Sequence, residues 1–265
     1  MDGISLGPIL LRWNGLLIAL GIACGALLAA FEARRRFQET EIIYYLFVPL
    51  LIWAWIGARL WHVFTPPLSS IQLGLTTRHY LSNPLDILAF WVGGFGIPGA
   101  ILGGALALWV ISRRDKLPFW DIADAFAPGL ALAHAIGRVG NYFNQELYGL
   151  PTTLPWAVLI EPEHRLQGYE QIEYYHPLFA YESLLVLGCA VMLMWLARGR
   201  FSTNLTPGDL FLTYLSFYSF IRCLLEILRL DIALVHAVNI NQLFFALLFL
   251  LSAGILAYRR FARVL

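Results

Sequence analysis

Apolar residues along this chain fall in long uninterrupted runs, not in the alternating or one-faced stripes of a protein that hides a single side of each element. The runs cover residues 13–31, 44–64, 85–111, 122–137, 178–197, 210–228 and 237–258. A helix needs about 20 apolar residues to cross a bilayer, so the pattern predicts about seven transmembrane helices. The fourth run is short and is interrupted by Ala127-Pro128-Gly129. The third carries Gly93, Gly94, Gly96, Gly99, Gly103 and Gly104 around Pro98. A helix so rich in glycine is either broken, lining a cavity, or packed very closely on its neighbours, and a break is the favoured expectation.

Two connecting segments, 65–84 and 141–177, are too long for tight turns. The second holds the apolar stretch LPWAVLI, which could form a strand. A charged piece with Glu161, Glu163, His164, Arg165, Glu170 and Glu173 follows it. The expected architecture is therefore an all-α polytopic integral membrane protein. It forms a single membrane domain over 1–265, with a broken third helix and a small extracytoplasmic cap over 141–177.

Composition agrees. The chain is 59% hydrophobic and only 13% charged, with a mean hydropathy of +0.68, far from a soluble average. A net charge of +1 gives no reason to expect nucleic acid as a partner. Cys24, Cys189 and Cys223 all lie in apolar runs, with no disulfide framework and no metal-ligand spacing. Neither a metal nor a cofactor is expected. Trp13, Trp53, Trp61, Trp91, Trp109, Trp120, Trp156 and Trp195 mostly stand near segment ends, as an interfacial aromatic belt would. The first run lacks a preceding basic stretch and continues as a full span, so no cleavable leader is expected. No internal repeat stands out, which weakens a reading as an inverted-repeat transporter.

Charge placement predicts orientation. Arg34, Arg35 and Arg36, then Arg113, Arg114 and Lys116, then Arg198 and Arg200, and finally Arg259, Arg260 and Arg263 share one side if seven spans are right. Basic residues accumulate in the cytoplasm, which puts the N-terminus outside and the C-terminus inside. Arg12, Arg59, Arg78, Arg138, Arg165, Arg222 and Arg229 then lie at the outer side, where they are better explained as ligands for something anionic.

The densest polar group follows the fourth run, in HAIGRVGNYFNQELYG, residues 134–149. Arg138 at the rim of a membrane helix costs roughly 2.5–3.5 kcal/mol at the bilayer centre and needs a reason to be there. Asn141 and Asn144 add amide donors and acceptors, and Glu146 a carboxylate that can pair with arginine or accept a proton. Asn141 could alternatively cap the helix end. Arg222, Glu226 and Arg229 fall on one helical face, either as a second cationic group or as an internal ion-pair tie. Arg59 could face a pocket or snorkel, whereas snorkelling is favoured for Arg12. His176-Pro177 with Tyr181 and Glu182 opens the fifth run, where His-Pro could simply be a helix entry. His62 and His134 are possible bases, though lone histidines in spans are more often structural.

GRVGNYFNQELYG resembles the signature of the prolipoprotein diacylglyceryl transferases, and GARLWHV, GGFGIPGAILGG, HPLFAYES, IRCLLEILR and the final NQL extend the resemblance. It implies an enzyme of the bacterial inner membrane that moves the diacylglyceryl group of phosphatidylglycerol onto the lipobox cysteine of a prolipoprotein signal peptide. By this resemblance Arg138 binds the lipid phosphate and Arg222 is a second essential cation. Asn141, Glu146 and Gly149 match functional positions, and Glu226 and Arg229 match a supporting ion-pair helix. The sequence departs from the family where a histidine is replaced by Pro98 and a tyrosine by Asn14. A divergent, inactive paralogue, a transporter or flippase of an anionic lipid or organic phosphate, and a structural scaffold are the competing readings.

Overall fold

The computed structural model describes residues 3–6, 9–89, 93–198 and 205–262. Trp91, Arg200 and Arg263 lie outside the described residues. The chain opens with a hairpin of β1 (Gly3–Leu6) and β2 (Ile9–Arg12), followed by α1 (Trp13–Phe37) and α2 (Glu41–Phe64). Three short helices come next: α3 (Leu68–Gln72), α4 (Thr77–Ser82) and α5 (Pro84–Ile87). Then follow α6 (Ile97–Arg114), α7 (Phe119–Phe143), α8 (Leu178–Arg198), α9 (Asp209–Leu225) and α10 (Ile240–Phe261). Two-residue strands β3 (Val158–Leu159) and β4 (Tyr174–Tyr175) pair antiparallel between α7 and α8. A second small hairpin, β5 (Leu234–Val235) with β6 (Val238–Asn239), leads into α10. The protein is mostly helical. Among the described residues four helices, α1, α2, α8 and α10, are long and apolar enough to cross a membrane by length and composition. Leu184, Trp195, Leu250 and Tyr258 are exposed on them, as lipid-facing side chains would be.

Glycine decides how the helices meet. A Cβ on Gly129 would lie 2.3 Å from the Gly25 carbonyl oxygen, and one on Gly25 would lie 2.6 Å from that of Gly129. Only glycine at both positions lets α1 and α7 approach backbone to backbone. This packing also corrects the expectation of a break at Ala127-Pro128-Gly129. Helix α7 runs unbroken through Pro128, since neighbouring helices support a proline that a free helix would not tolerate. The same device joins α2 to α6, where a Cβ on Gly99 would meet the Gly57 carbonyl oxygen at 2.0 Å. Residues 93–96, just ahead of α6, are not helical, and Gly93 and Gly94 take φ of 85° and 82°, a region that favours glycine.

The stretch expected as a strand over 154–160 is strand only at β3, because only those two residues find a partner in β4. Around this pair a separate small core forms from Tyr148, Ile160, Leu166, Tyr175 and Leu230. Burial pushes the Tyr148 phenol up to about 12. It therefore remains a donor to the His164 carbonyl at 2.8 Å and accepts from Leu166 N–H at 3.0 Å.

The basic clusters at the opposite end are not bare surface charge. Glu32 is buried and pairs with Arg198 at 2.7 Å and Arg35 at 3.0 Å. Buried Asp124 lies 3.6 Å from Arg36 and accepts backbone N–H groups of Gly208 and Phe211. Buried Asp209 pairs with Arg260 at 3.3 Å. Residues that read as orientation signals thus also neutralise buried carboxylates and tie α1, α7, α8, α9 and α10 at one end.

Candidate functional site

Helices α7, α8 and α9 bring an ion-pair cluster together at the other end of the bundle. Its centre is Glu182 on α8, which is 1% exposed. Arg138 on α7 faces it with one edge of its guanidinium: Nη2 donates to Oε1 at 3.1 Å and Nε lies 3.1 Å from Oε2. Arg222 on α9 reaches Oε2 at 3.4 Å. The Tyr218 hydroxyl donates to Oε1 at 3.2 Å. His134 Nε2 lies 3.0 Å from Oε1 and equally 3.0 Å from Arg138 Nε. That nitrogen cannot donate to one and accept from the other. The Arg138 Nε proton is directed at His134 Nε2, so that nitrogen is the acceptor and the other ring nitrogen carries the histidine proton.

From Arg222 the network continues to buried Glu226 at 2.8 Å, and Glu226 is 3.6 Å from Arg229. The three were expected on one continuous helix, yet α9 ends at Leu225 and a tight turn carries the last two. Arg222, Arg229, Arg138, Glu182 and Glu226 together leave one positive charge in excess. Arg222 Nε and Arg229 Nε are buried without a hydrogen-bond partner. Such unpaired donors in a dry site favour an anionic ligand.

The remaining group of Arg138, Nη1, has only a long 3.5 Å contact to Asn141 Oδ1. Asn141 in turn donates to Glu146 at 3.3 Å, and Asn144 donates to the same carboxylate at 3.1 Å. Four of the sequence-predicted residues, Arg138, Asn141, Asn144 and Glu146, are therefore one hydrogen-bonded string running from the buried hub to an exposed carboxylate. A cavity of about 520 Å³ opens beside it, with Asn14, His134, Arg138, Asn141 and Tyr218 at the polar end.

Other predicted residues sit elsewhere. The Arg59 guanidinium is buried and donates to the carbonyls of Asp86, Ile87, Gly93 and Gly94, so it holds the segment before α6 and does not line this cavity. Arg165 likewise serves the carbonyls of Ile160 and Glu170. Gly149 acts through its backbone. It bridges to Arg229 and donates to the His176 carbonyl at 2.8 Å, and a Cβ there would meet the Leu228 carbonyl oxygen at 2.7 Å. His176 Nδ1 lies 3.1 Å from the Tyr181 hydroxyl, which also accepts from Trp156 Nε1 at 2.7 Å. Trp156 and Tyr181 border a second groove with Tyr142 and Phe179. His62 meets Tyr80 at 3.3 Å, away from the main cavity. Among the described residues no group of three His, Cys, Asp or Glu could hold a metal ion.

Sequence reasoning missed Glu182 as the hub. The signal was present: a carboxylate inside an apolar run needs a partner as much as an arginine does.

A mostly helical chain with several helices apolar and long enough to cross a bilayer, around a cavity with the Arg138 guanidinium at its polar end, belongs to the class of helical membrane proteins. Within that class the chain is a member of the prolipoprotein diacylglyceryl transferase family, whose model matches residues 3–258. It is 41% identical over 242 residues to the phosphatidylglycerol–prolipoprotein diacylglyceryl transferase of Synechococcus elongatus, covering 91% of this chain and 80% of that protein. It is 37% identical to the protein of that name from Trichormus variabilis, covering 90% and 82%. A Streptomyces coelicolor relative, phosphatidylglycerol–prolipoprotein diacylglyceryl transferase 2, is 41% identical over 86% of this chain and 69% of its own length.

Proposed function

We propose that this protein transfers the diacylglyceryl group of phosphatidylglycerol to the lipobox cysteine of prolipoproteins, at the outer leaflet of a bacterial inner membrane. The observation that carries the reading is the Arg138 geometry. One edge of the guanidinium is fixed on Glu182, while Nη1 is left at the polar end of an apolar cavity. The reading includes seven spans, with α6 preceded by a break in the third, the 141–177 cap outside, the N-terminus outside and the C-terminus cytoplasmic.

In the reaction the cysteine sulfur attacks the glyceryl carbon that bears the phosphate. A C–S bond forms, the C–O bond to phosphate breaks, and glycerol phosphate leaves with the electron pair. Negative charge moves from sulfur to phosphate oxygens in the transition state. Arg138 Nη1 and the Arg222 guanidinium stabilise that charge in a low-dielectric site and favour the thiolate. Glu182 does not touch the substrate. It holds both guanidinium planes so that they need not reorganise. Glu146, oriented by Asn141 and Asn144, takes the thiol proton, because His134 Nε2 already accepts from Arg138, His62 is remote and Pro98 has no proton acceptor. Tyr181, in contact with His176, borders the second groove, which offers an apolar approach for the signal peptide.

The experiment is transfer by purified protein from phosphatidylglycerol to a lipobox peptide, read as thioether-modified peptide plus glycerol phosphate. Arg138→Ala and Arg222→Ala abolish transfer, Arg12→Ala retains most of it, and Glu146→Gln lowers turnover. Lipid that crosses the bilayer unmodified, with no thioether formed, refutes the transferase reading in favour of transport. Equal loss in all four variants refutes the assigned roles.

A further inference from the structure

The construction around Glu182 occurs a second time, at the far end of the bundle. Glu32, near the end of α1, is fully buried. Its Oε2 accepts from Nε and Nη2 of Arg35 at 3.1 and 3.0 Å. Its Oε1 accepts from Nη2 of Arg198, the last residue of α8, at 2.7 Å. The difference from the Glu182 cluster is access, since the Arg35 and Arg198 side chains are 36% and 43% exposed. One carboxylate against two guanidinium groups leaves one positive charge in excess. Among the described residues nothing accepts from Nε and Nη1 of Arg198 or from Nη1 of Arg35. Both arginines are oriented by a buried anchor and still have donors to give.

The surface leading up to this pair is apolar. Leu27 and Phe31 stand one turn apart on α1, Val191 and Trp195 one turn apart on α8, and all four are exposed. Both helices pack on α7, and the Arg198–Glu32 pair joins them at this end. The Arg198 guanidinium also lies over the Phe31 ring, 5.2 Å from its centroid. Two apolar stripes that end in a guanidinium pair at the helix termini match a phospholipid, with acyl chains along the stripes and a phosphate at the interface. A zwitterionic head brings its own cation, which the excess positive charge disfavours. A soluble acidic segment would gain nothing from the stripes. We infer that Arg35 and Arg198, held by Glu32, bind the phosphate of an anionic phospholipid in the leaflet opposite the Glu182 cluster. The lipid there is a ligand that braces α1 against α8, not a substrate, and the inference stands apart from the transferase reading.

The test titrates dioleoyl-phosphatidic acid onto the purified full chain in detergent and counts bound lipid by native mass spectrometry, with dioleoyl-phosphatidylcholine alongside. Arg35→Gln with Arg198→Gln removes the pair. Arg34→Gln with Arg113→Gln removes the same charge from the same end, but from arginines outside the Glu32 pair. Any lipid held near Arg138 is common to wild type and both variants. Expected in the first variant is one phosphatidic acid whose affinity falls about tenfold, against less than about twofold in the second. Should stranding Glu32 prevent folding, adding Glu32→Gln removes the stranded charge and reads the same count. Equal losses in the two variants would reduce the site to general basic surface and overturn the proposal. Phosphatidylcholine retained as well as phosphatidic acid overturns it too. Inorganic phosphate that displaces the lipid at equal concentration overturns the phospholipid assignment, because the apolar stripes would then contribute nothing.

Discussion

Glu182 shows how much one buried carboxylate can govern. From α8 it touches two arginines, a histidine and a tyrosine contributed by two other helices. Removing one partner of a buried ion pair strands the other charge, at a cost of about 3–5 kcal/mol. Glu182→Ala is therefore expected to lower the melting temperature in detergent strongly. Glu182→Gln, keeping shape and two acceptor lone pairs but no charge, lies between it and wild type. Wild-type melting of the alanine variant would mean that the hub is not a tie. Arg138 was legible from the sequence alone, since a charge in an apolar run is conspicuous. Its preferred edge was not, because the fork geometry depends on where α8 sets Glu182. Arg59 is the counter-example: its type suggested a ligand site, but backbone carbonyls of a later segment occupy its donors.

At the scale of elements, glycines decide which helices can touch. Gly99 packs so closely on Gly57 that a methyl group has no room. Gly99→Ala should separate α2 from α6 and cost about 1–3 kcal/mol, as overpacking does. Gly188→Ala meets nothing within 4 Å on α8 and should not lower stability. Thermal melting of the two variants side by side checks this, and equal melting would show that the α2–α6 approach is unimportant. Apolar run lengths located the long helices well, but ends drifted. Residues 226–228 leave the helix as a tight turn after Leu225, and α7 extends to Phe143, past the expected end at 137. Hydropathy reports where lipid can be, whereas hydrogen bonds decide where a helix stops.

The molecule as a whole carries its polar chemistry at one end and a belt of paired carboxylates and arginines at the other. Under the proposed orientation, that polarity predicts a labelling pattern. A membrane-impermeant thiol reagent applied to intact cells should reach Gly168→Cys in the cap. Lys116→Cys, between α6 and α7, should react only after permeabilisation. The reverse pattern would invert the orientation and remove the outer-leaflet assignment. The native cysteines lie in apolar segments, with Cys189 buried, which keeps the background low.

What the sequence by itself determined is the membrane class, the approximate helices and the residues too polar to be in lipid without a purpose. These follow from local composition, because the cost of placing a group in hydrocarbon belongs to that group alone. The tertiary structure decided the hub on Glu182, the unbroken α7 and the separate duty of Arg59. Each depends on groups tens of residues apart meeting at particular distances, and a pairwise distance is not written at either residue.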